Sequence, residues 1–247
     1  MLCIPMDHSL AAGPIQGLEN TEETIGQIAR GGATAFLAEK GIIKSLRKPP
    51  QIGIIIQLSA STSLGLSPNR KVLIATVQES LRLGVDAVSI HVNIGGKEEP
   101  EMLQQLGMVS DQCDSNSVPF VAMMYPRGEN IKDPSDPEVV AHVARIGAEA
   151  GADIVKTVYT GSAESFREVV RKCPVPVVLA GGSKADSDEA LLRMTDDVMR
   201  AGAIGVTYGR NVFQHKSPML ITKALRKVVI ERSSVEEAME VLKTGPS

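Results

Sequence analysis

One sequence pattern recurs four times along this chain and limits its fold more than any other feature. A helical segment ends in glycine, a small residue follows, and a short apolar run begins, as in Gly151-Ala-Asp-Ile-Val-Lys156. Glycine after a helix supplies a positive φ at little cost. An apolar run without alternation indicates a strand that is buried on both faces. The other copies begin at Gly31, Gly84 and Gly202.

Further apolar runs lie between these copies, and together they predict eight strands that alternate with helices. The copies are roughly 50 to 65 residues apart, or about two strand–helix units each. A chain of 247 residues is typical of a (β/α)₈ barrel, so we predict a single TIM-barrel domain over residues 1–247. An open doubly wound sheet is the alternative, but no Gly-x-Gly-x-x-Gly turn follows the first strand. The additional strands are predicted at residues 2–6, 52–58, 118–124 and 176–180.

Local signals mark several helix starts and one long connection. The Ser/Thr-rich segment 59–69 follows the third strand. It is either a surface loop or a wall or lid of an active site. Capping boxes, or N-cap residues followed by proline, are predicted at Asn20/Glu23, Ser234/Glu237, Asp136-Pro137 and Ser217-Pro218.

Composition excludes several classes of partner and indicates the compartment. A net charge of −3, no tryptophan and 3% aromatic residues argue against binding to nucleic acid or to acidic lipid. The first residues lack the basic and apolar regions of a signal peptide, and no apolar run is long enough to span a bilayer. The odd number of widely spaced cysteines, Cys3, Cys113 and Cys173, suits a reducing cytoplasm.

Polar residues follow nearly every predicted strand. Catalytic groups of barrel enzymes lie at the C-terminal ends of the strands, so these residues are expected to share one rim. Such a concentration of polar groups exceeds what a packed core requires. In chain order they are Asp7-His8, Glu39-Lys40, His91 with Asn93, Tyr125 with Arg127, Lys156, Gly181-Gly182 and Gly209-Arg210.

Lys156 ends the sixth predicted strand and is the strongest catalytic candidate. A buried ammonium is costly unless it is paired or reactive. Desolvation is expected to lower the pKa of Lys156, and the neutral amine is the form that attacks a carbonyl to make a Schiff base. The alternative is a lysine that reaches water or pairs with a carboxylate.

A glycine pair after the seventh strand and Gly209-Arg210 after the eighth match the usual phosphate site of barrels. Glycines let backbone N–H groups approach phosphate oxygens, and arginine adds charge-assisted bonds. The residues concerned are Gly181, Gly182, Gly209 and Arg210. The alternative is ordinary tight turns with a surface arginine.

Four further residues are candidates for proton transfer or substrate binding. An inward Asp7 could act as a general base or form an ion pair with Lys156. Tyr125 could shuttle protons if a cationic iminium lay nearby, or could only hydrogen-bond. His91 could bind substrate hydroxyls or be a satisfied interior histidine. Strand pleating places His8 opposite Asp7, so His8 could point away from the lumen. No His/Cys/Asp cluster has metal-ligand spacing, which favours lysine chemistry over a metal.

Several motifs of this sequence resemble the archaeal-type class I aldolase family. They extend over most of the chain. They are Pro5-Met-Asp-His8, Leu58-Ser-Ala-Ser-Thr-Ser-Leu64, Ser89-Ile-His-Val-Asn93, Met123-Met-Tyr-Pro-Arg-Gly128, Ala152-Asp-Ile-Val-Lys-Thr157, Ala180-Gly-Gly182 and Gly209-Arg-Asn-Val-Phe213.

The resemblance implies a barrel aldolase in which Lys156 forms the Schiff base, Tyr125 donates protons and Asp7 is the acid/base group. It also implies sugar phosphate and aldehyde substrates, bound with help from His8, His91 and Arg127. No cofactor or metal is implied. A cytoplasmic homo-oligomer, commonly a decameric ring, is the implied assembly. A fructose-1,6-bisphosphate aldolase, or an aldolase joining dihydroxyacetone phosphate to aspartate semialdehyde, is the nearer alternative. A phosphate-binding isomerase or a non-catalytic binding module is the further one.

Two departures from the family pattern stand out. Ser9 occupies a position where the family usually has glycine, so the turn after Asp7-His8 could differ. The sequence also begins almost at the first strand, whereas relatives usually carry a segment before it that covers the lower end of the barrel. The resemblance therefore leaves the closure of the lower end open, but it does not alter the expected chemistry at the upper end.

Overall fold

Eight parallel strands close into a barrel in a computed structural model that describes residues 1–243. Their order around the barrel follows the chain, and β1 closes the ring by pairing with both β2 and β10. The predicted TIM-barrel fold is confirmed, and the last four residues of the predicted domain lie outside the described part. The barrel strands are β1 (Leu2–Pro5), β2 (Ala35–Ala38), β3 (Gly53–Gln57), β6 (Ala87–Ile94), β7 (Phe120–Pro126), β8 (Ile154–Thr157), β9 (Val177–Ala180) and β10 (Gly205–Thr207).

Helices surround the barrel, and the predicted caps begin four of them. Asn20, Asp136 and Ser217 each accept a backbone N–H of the following helix. Ser234 and Glu237 exchange both bonds of a capping box. The helices are α1 (His8–Ala12), α2 (Thr21–Gly31), α3 (Lys40–Ser45), α4 (Val77–Arg82), α5 (Glu99–Asn116), α6 (Pro137–Glu149), α7 (Ala163–Lys172), α8 (Asp188–Arg200), α9 (Arg210–Phe213), α10 (Pro218–Val229) and α11 (Val235–Lys243). None of the helices in residues 1–243 is long and apolar enough to cross a bilayer.

Two apolar clusters divide the core, as expected for strands that are buried on both faces. The larger cluster lies between the strands and the surrounding helices. The smaller one contains one or two residues from each of five strands, with Met1 and Ile154 packed against it. This small cluster fills the barrel interior with Cys3, Ala35, Leu37, Ile55, Ala87 and Val121.

The long segment after β3 is anchored at both ends rather than being a free loop. Strand β4 (Ser59–Ala60) pairs antiparallel with β5 (Val72–Leu73). Between them, Leu64 and Leu66 are almost fully exposed. The hairpin returns the chain toward the barrel, and Lys71, just before β5, lines a cavity at the C-terminal mouth of the barrel.

Candidate active site

Lys156 is buried at the centre of the barrel mouth. Its side chain is 6% exposed, and it stands beside Met123 of β7 in the strand register. The Nζ atom lies 3.3 Å from Met123 Sδ. A thioether is only a weak acceptor, and no salt bridge joins this amine to a carboxylate among residues 1–243. The alternative in which Lys156 forms an ion pair therefore lacks a carboxylate within salt-bridge distance in residues 1–243.

The charge state of Lys156 is not the one that burial alone predicts. Burial does lower the pKa of the amine, but the facing Tyr125 oxygen and the Asp7 carboxylate outweigh burial. The net pKa of Lys156 is raised above the ordinary lysine value. The prediction of a lowered pKa is thus wrong for the free protein. The amine must lose a proton before it can attack a carbonyl.

Asp7 lies two residues beyond β1 and lines the same cavity as Lys156. Burial acts to raise the pKa of its carboxyl, but the adjacent His8 and the Lys156 ammonium lower it to about 2. Asp7 is consequently an anion at neutral pH. Beneath it, burial raises the pKa of the Cys3 thiol to about 12, so this thiol stays neutral. Asp7 supplies the formal negative charge next to Lys156.

His8 also lines the cavity, although strict pleating would have turned it away. The strand ends at Pro5 and helix α1 begins at His8, so strand alternation no longer applies there. Its Nδ1 lies 3.4 Å from Asp7 Oδ1. A Cβ on Gly209 would lie 2.6 Å from His8 Cε1. Glycine at 209 therefore leaves the space that the imidazole occupies.

Tyr125, Arg127 and His91 form one wall of the cavity, on β6 and the end of β7. The rings of Tyr125 and His91 are 4.6 Å apart, and Arg127 Cζ lies 5.6 Å from the Tyr125 ring centre. Burial and the Lys71 ammonium lower the pKa of His91 to about 3, so it is neutral. Its Nε2 meets Asn93 Oδ1 at 2.9 Å. An amide oxygen only accepts, so Nε2 carries the proton and Nδ1 is an acceptor.

The glycine turns after β9 and β10 lie opposite that wall. Gly181 donates its N–H to the Thr207 carbonyl, and a Cβ there would lie 2.9 Å from Tyr208. Gly182 has φ +59° and nothing within 4 Å of its Cβ position. The Arg210 guanidinium donates to the Gly182 carbonyl at 2.6 Å. Gly182 and Arg210 thus present open backbone and positive charge to the cavity.

A single cavity of about 370 Å³ joins all of these groups. Lys71 lines it as well, although the sequence did not suggest a role for it. Its Nζ donates to Ser61 Oγ at 2.5 Å and to the Pro68 carbonyl at 3.2 Å. The only sequence signal was a basic pair just before a short apolar run. The predicted residues that line this cavity are Asp7, His8, His91, Tyr125, Arg127, Lys156, Gly181, Gly182, Gly209 and Arg210.

The side-chain groups in this cavity suit the reaction of an amine with a carbonyl compound. In residues 1–243, no three His, Cys, Asp or Glu side chains are grouped to hold a metal ion. A buried amine, a carboxylate and a phenol can form an imine and move protons around it. Positive charge at two ends of the cavity can hold an anionic substrate.

A buried lysine with a carboxylate and a phenol at the C-terminal mouth of a barrel fits a class I, Schiff-base-forming aldolase. The chain belongs to the DeoC/LacD aldolase family, whose model matches residues 1–215. The family resemblance and the assignment as an enzyme are thereby confirmed.

Curated relatives and solved structures agree with this membership. The chain is 43% identical over 239 residues to 2-amino-3,7-dideoxy-D-threo-hept-6-ulosonate synthase 1 of Archaeoglobus fulgidus, covering 96% of this chain and 88% of that one. It is 38% identical to 2-amino-4,5-dihydroxy-6-oxo-7-(phosphonooxy)heptanoate synthase of Streptomyces griseus, covering 93% and 84%. An archaeal fructose-1,6-bisphosphate aldolase, with its catalytic lysine bound to the carbinolamine intermediate, superposes with a TM-score of 0.87. It is 28% identical, and the match covers 92% of both chains.

Proposed function

We propose that this protein joins a three-carbon donor, held on Lys156, to L-aspartate semialdehyde, forming 2-amino-3,7-dideoxy-D-threo-hept-6-ulosonate. Identity of 43% and 38% to two synthases carries the proposal. By their names, both make a seven-carbon product with a 2-amino acid end and a ketone at C6. Disconnection of either product between C4 and C5 leaves aspartate semialdehyde and a three-carbon ketone. Such a product would serve as a precursor of aromatic amino acids.

The proposed reaction starts with a phosphorylated six-carbon diketo sugar. The neutral amine of Lys156 attacks the keto carbon, and loss of water leaves an iminium. Asp7 then takes the proton of the hydroxyl on the carbon β to the iminium carbon, and this hydroxyl becomes the carbonyl of the leaving aldehyde. The electron pair of the breaking C–C bond passes into the iminium, which becomes an enamine, and a phosphorylated three-carbon aldehyde leaves.

The second half of the reaction runs the same steps toward a new bond. The enamine carbon attacks the aldehyde carbon of aspartate semialdehyde, Tyr125 gives a proton to the new alkoxide oxygen, and the proton that Asp7 took up during cleavage restores Tyr125. Water then adds to the iminium and releases the product and the amine. The cationic iminium next to Tyr125 helps the phenol to exchange protons, since phenols are weak acids.

The two charged ends of the cavity have different roles in this proposal. Gly182 and Gly209 with Arg210 lie on the donor side, where they would take the phosphate of a phosphorylated donor, while Gly181 shapes the turn by its fit against Tyr208. The acceptor lies on the side of Tyr125, because its aldehyde oxygen must reach the phenol.

On that acceptor side, Arg127 and Lys71 hold the anionic end of the aldehyde, whether a phosphate or the carboxylate of aspartate semialdehyde. His91 offers Nδ1 as an acceptor for a substrate hydroxyl or ammonium. His8, against Asp7, orients the carboxylate and contacts substrate.

The acceptor site is tested with Lys71→Met. Loss of one charge-assisted hydrogen bond costs about 1.5–3 kcal/mol, which corresponds to about 10–100-fold in KM for aspartate semialdehyde. Imine formation with hydroxyacetone, trapped by borohydride, should not change. Lys97→Met, at a lysine side chain that is 75% exposed, is the matched control. An unchanged KM in the Lys71 variant would remove Lys71 from the acceptor site.

A second candidate is an aldolase that uses dihydroxyacetone phosphate as donor. The phosphate-binding features near Gly182 and Arg210 favour it, as does the 7-phosphonooxy group in the name of the Streptomyces product. Fructose-1,6-bisphosphate is the related cleavage substrate. A panel of dihydroxyacetone phosphate and the six-carbon diketo sugar phosphate as donors, each with aspartate semialdehyde or glyceraldehyde 3-phosphate, separates these reactions. If no donor in the panel forms an imine, a phosphate-binding isomerase or a non-catalytic binding module becomes the favoured function.

We also propose that the chain works as a homo-oligomeric ring in the cytoplasm. The family resemblance supports a ring, commonly a decamer, and the exposed Leu64 and Leu66 offer apolar contact area. The three cysteines are free and buried, which suits a reducing compartment. Sedimentation velocity measures the assembly directly, and a monomer at micromolar concentration would contradict it.

A further inference from the structure

A second, smaller cavity lies behind Asp7 and contains a carboxyl that the proposed reaction does not use. Glu39 follows β2 directly, is only 7% exposed and caps no backbone N–H of α3. The cavity measures about 40 Å³, enough for about two water molecules. Glu39 and Asp7 both line it. Two carboxyls therefore face one small polar space at the edge of the active site.

The hydrogen-bond inventory of this cavity is incomplete within residues 1–243. No described side chain donates to the Glu39 carboxyl. Gln57, 2% exposed, gives its amide N–H groups to Ser59, while its Oε1 is buried without a donor. A buried acceptor without a donor is costly. The cavity is thus lined by Gln57, whose Oε1 lacks a donor, and by the Asp7 and Glu39 carboxyl groups. Satisfying these acceptors requires a hydrogen-bond donor in the cavity.

Charge decides which carboxyl supplies that proton. Burial and the Asp7 charge raise the pKa of Glu39 to about 8, although its own backbone N–H opposes the rise. Asp7 is the anion, and two carboxylates at close range do not both ionise readily. The other titratable groups around the cavity are Lys71 from the hairpin and His91 from β6. His91 is neutral, and neither group hydrogen-bonds Glu39.

We propose that Glu39 is a positioning residue of the active site, whose protonated carboxyl holds the Asp7 carboxylate through water in the cavity behind it. This role rests on the Schiff-base chemistry proposed for Lys156, but not on the identity of the acceptor. The neutral acid donates toward Asp7 or Gln57 and adds no charge.

Ionisation of Glu39 would change the site in two ways. A second anion beside Asp7 would hold the Lys156 amine protonated, which slows imine formation. It would also favour the cationic iminium over the neutral enamine, which slows C–C cleavage. The positioning effect is therefore present at neutral pH and is lost as the pH rises above about 8.

The test compares Glu39→Gln, a neutral isostere, with the wild-type protein across pH. The readout is the rate of imine trapping with hydroxyacetone and borohydride, followed by mass. The ratio of the variant rate to the wild-type rate should be constant from pH 6 to 7 and should rise to about tenfold at pH 9. Glu79→Gln, at a carboxylate that pairs with Lys40 and Lys44 on the outer side of the barrel, should give a flat ratio. A flat ratio for Glu39→Gln would overturn the proposal.

An infrared measurement on the wild-type protein covers the case in which the variant does not fold. Burial and the Asp7 charge raise the pKa of Glu39 to about 8, so the folded protein should show an acid C=O band at pH 7 that disappears near pH 9. Absence of this band at pH 7 would overturn the proposal. A wild-type protein that traps no donor would instead overturn the aldolase function, and the infrared band would be unaffected.

Discussion

The Nζ atom of Lys156 lies 3.3 Å from the Sδ atom of Met123, its neighbour in the strand register. A sulfur that accepts only weakly keeps the amine in place without a close anion. Asp7 and Tyr125 supply the electrostatic field that raises the pKa of Lys156. The free protein therefore holds Lys156 mainly as the ammonium, which must lose a proton before the amine attacks a carbonyl.

Lys156→Met should remove Schiff-base formation and leave the fold intact. The substitution roughly keeps the length of the side chain and removes both the desolvation cost of the ammonium and its attraction to Asp7, so the net change in stability should be small. Borohydride trapping with peptide mapping should find no adduct. Circular dichroism confirms that the variant is folded. An adduct elsewhere with wild-type turnover would refute the assignment of Lys156.

Met123→Glu should slow imine formation by more than about tenfold. A carboxylate at this position would pair directly with the amine and keep it protonated. Met123→Leu conserves volume and should cost less than about 1.5 kcal/mol of stability, with trapping close to wild type. Equal trapping rates in the two variants would show that the residue beside Lys156 does not control its protonation.

Tyr125→Phe should lower turnover by about 10²–10⁴-fold, the usual contribution of one proton-transfer group. Trapping of a hydroxyacetone imine should continue, because the amine is still present. Steady-state rates and single-turnover trapping therefore separate the two steps. Loss of trapping in this variant would mean that Tyr125 acts before C–C cleavage.

Imine trapping in the wild-type protein should accelerate as pH rises above neutral. The pKa of Lys156 is raised, so the free protein holds mainly the ammonium, and the reactive amine increases with pH. Trapping rates with hydroxyacetone from pH 6 to 9 measure this. A rate that is already maximal at pH 7 would indicate a lowered pKa.

Acid should destabilise the fold partly through His91. Its folded pKa is about 3, against about 6.5 for an unfolded histidine. As pH falls from 6.5 toward 3, the unfolded chain takes up a proton that the folded protein excludes, so stability falls by up to about 1.4 kcal/mol per pH unit. Urea unfolding at pH 7 and pH 5 should show a smaller decrease for His91→Asn than for wild type. Equal decreases would contradict a neutral buried imidazole.

Strand and helix order could be predicted because each signal is local. A glycine that ends a helix and the apolar run after it are neighbours in sequence. Once the barrel is inferred, its topology places every strand end on one rim, which explains why Lys156 and Arg210 were placed at the same mouth. His8 is the exception, because β1 ends before it and strand alternation does not extend into α1.

The sequence by itself determined the barrel, the order of its strands and the set of residues at their C-terminal ends. Only the tertiary structure decided how these residues act on one another. It brought Lys71 into the cavity through a hairpin, raised the pKa of Lys156 and placed Glu39 behind Asp7. The physical reason is that periodicity reports the average environment of a segment. Charge states and shared cavities depend on distances between groups that are far apart in the chain.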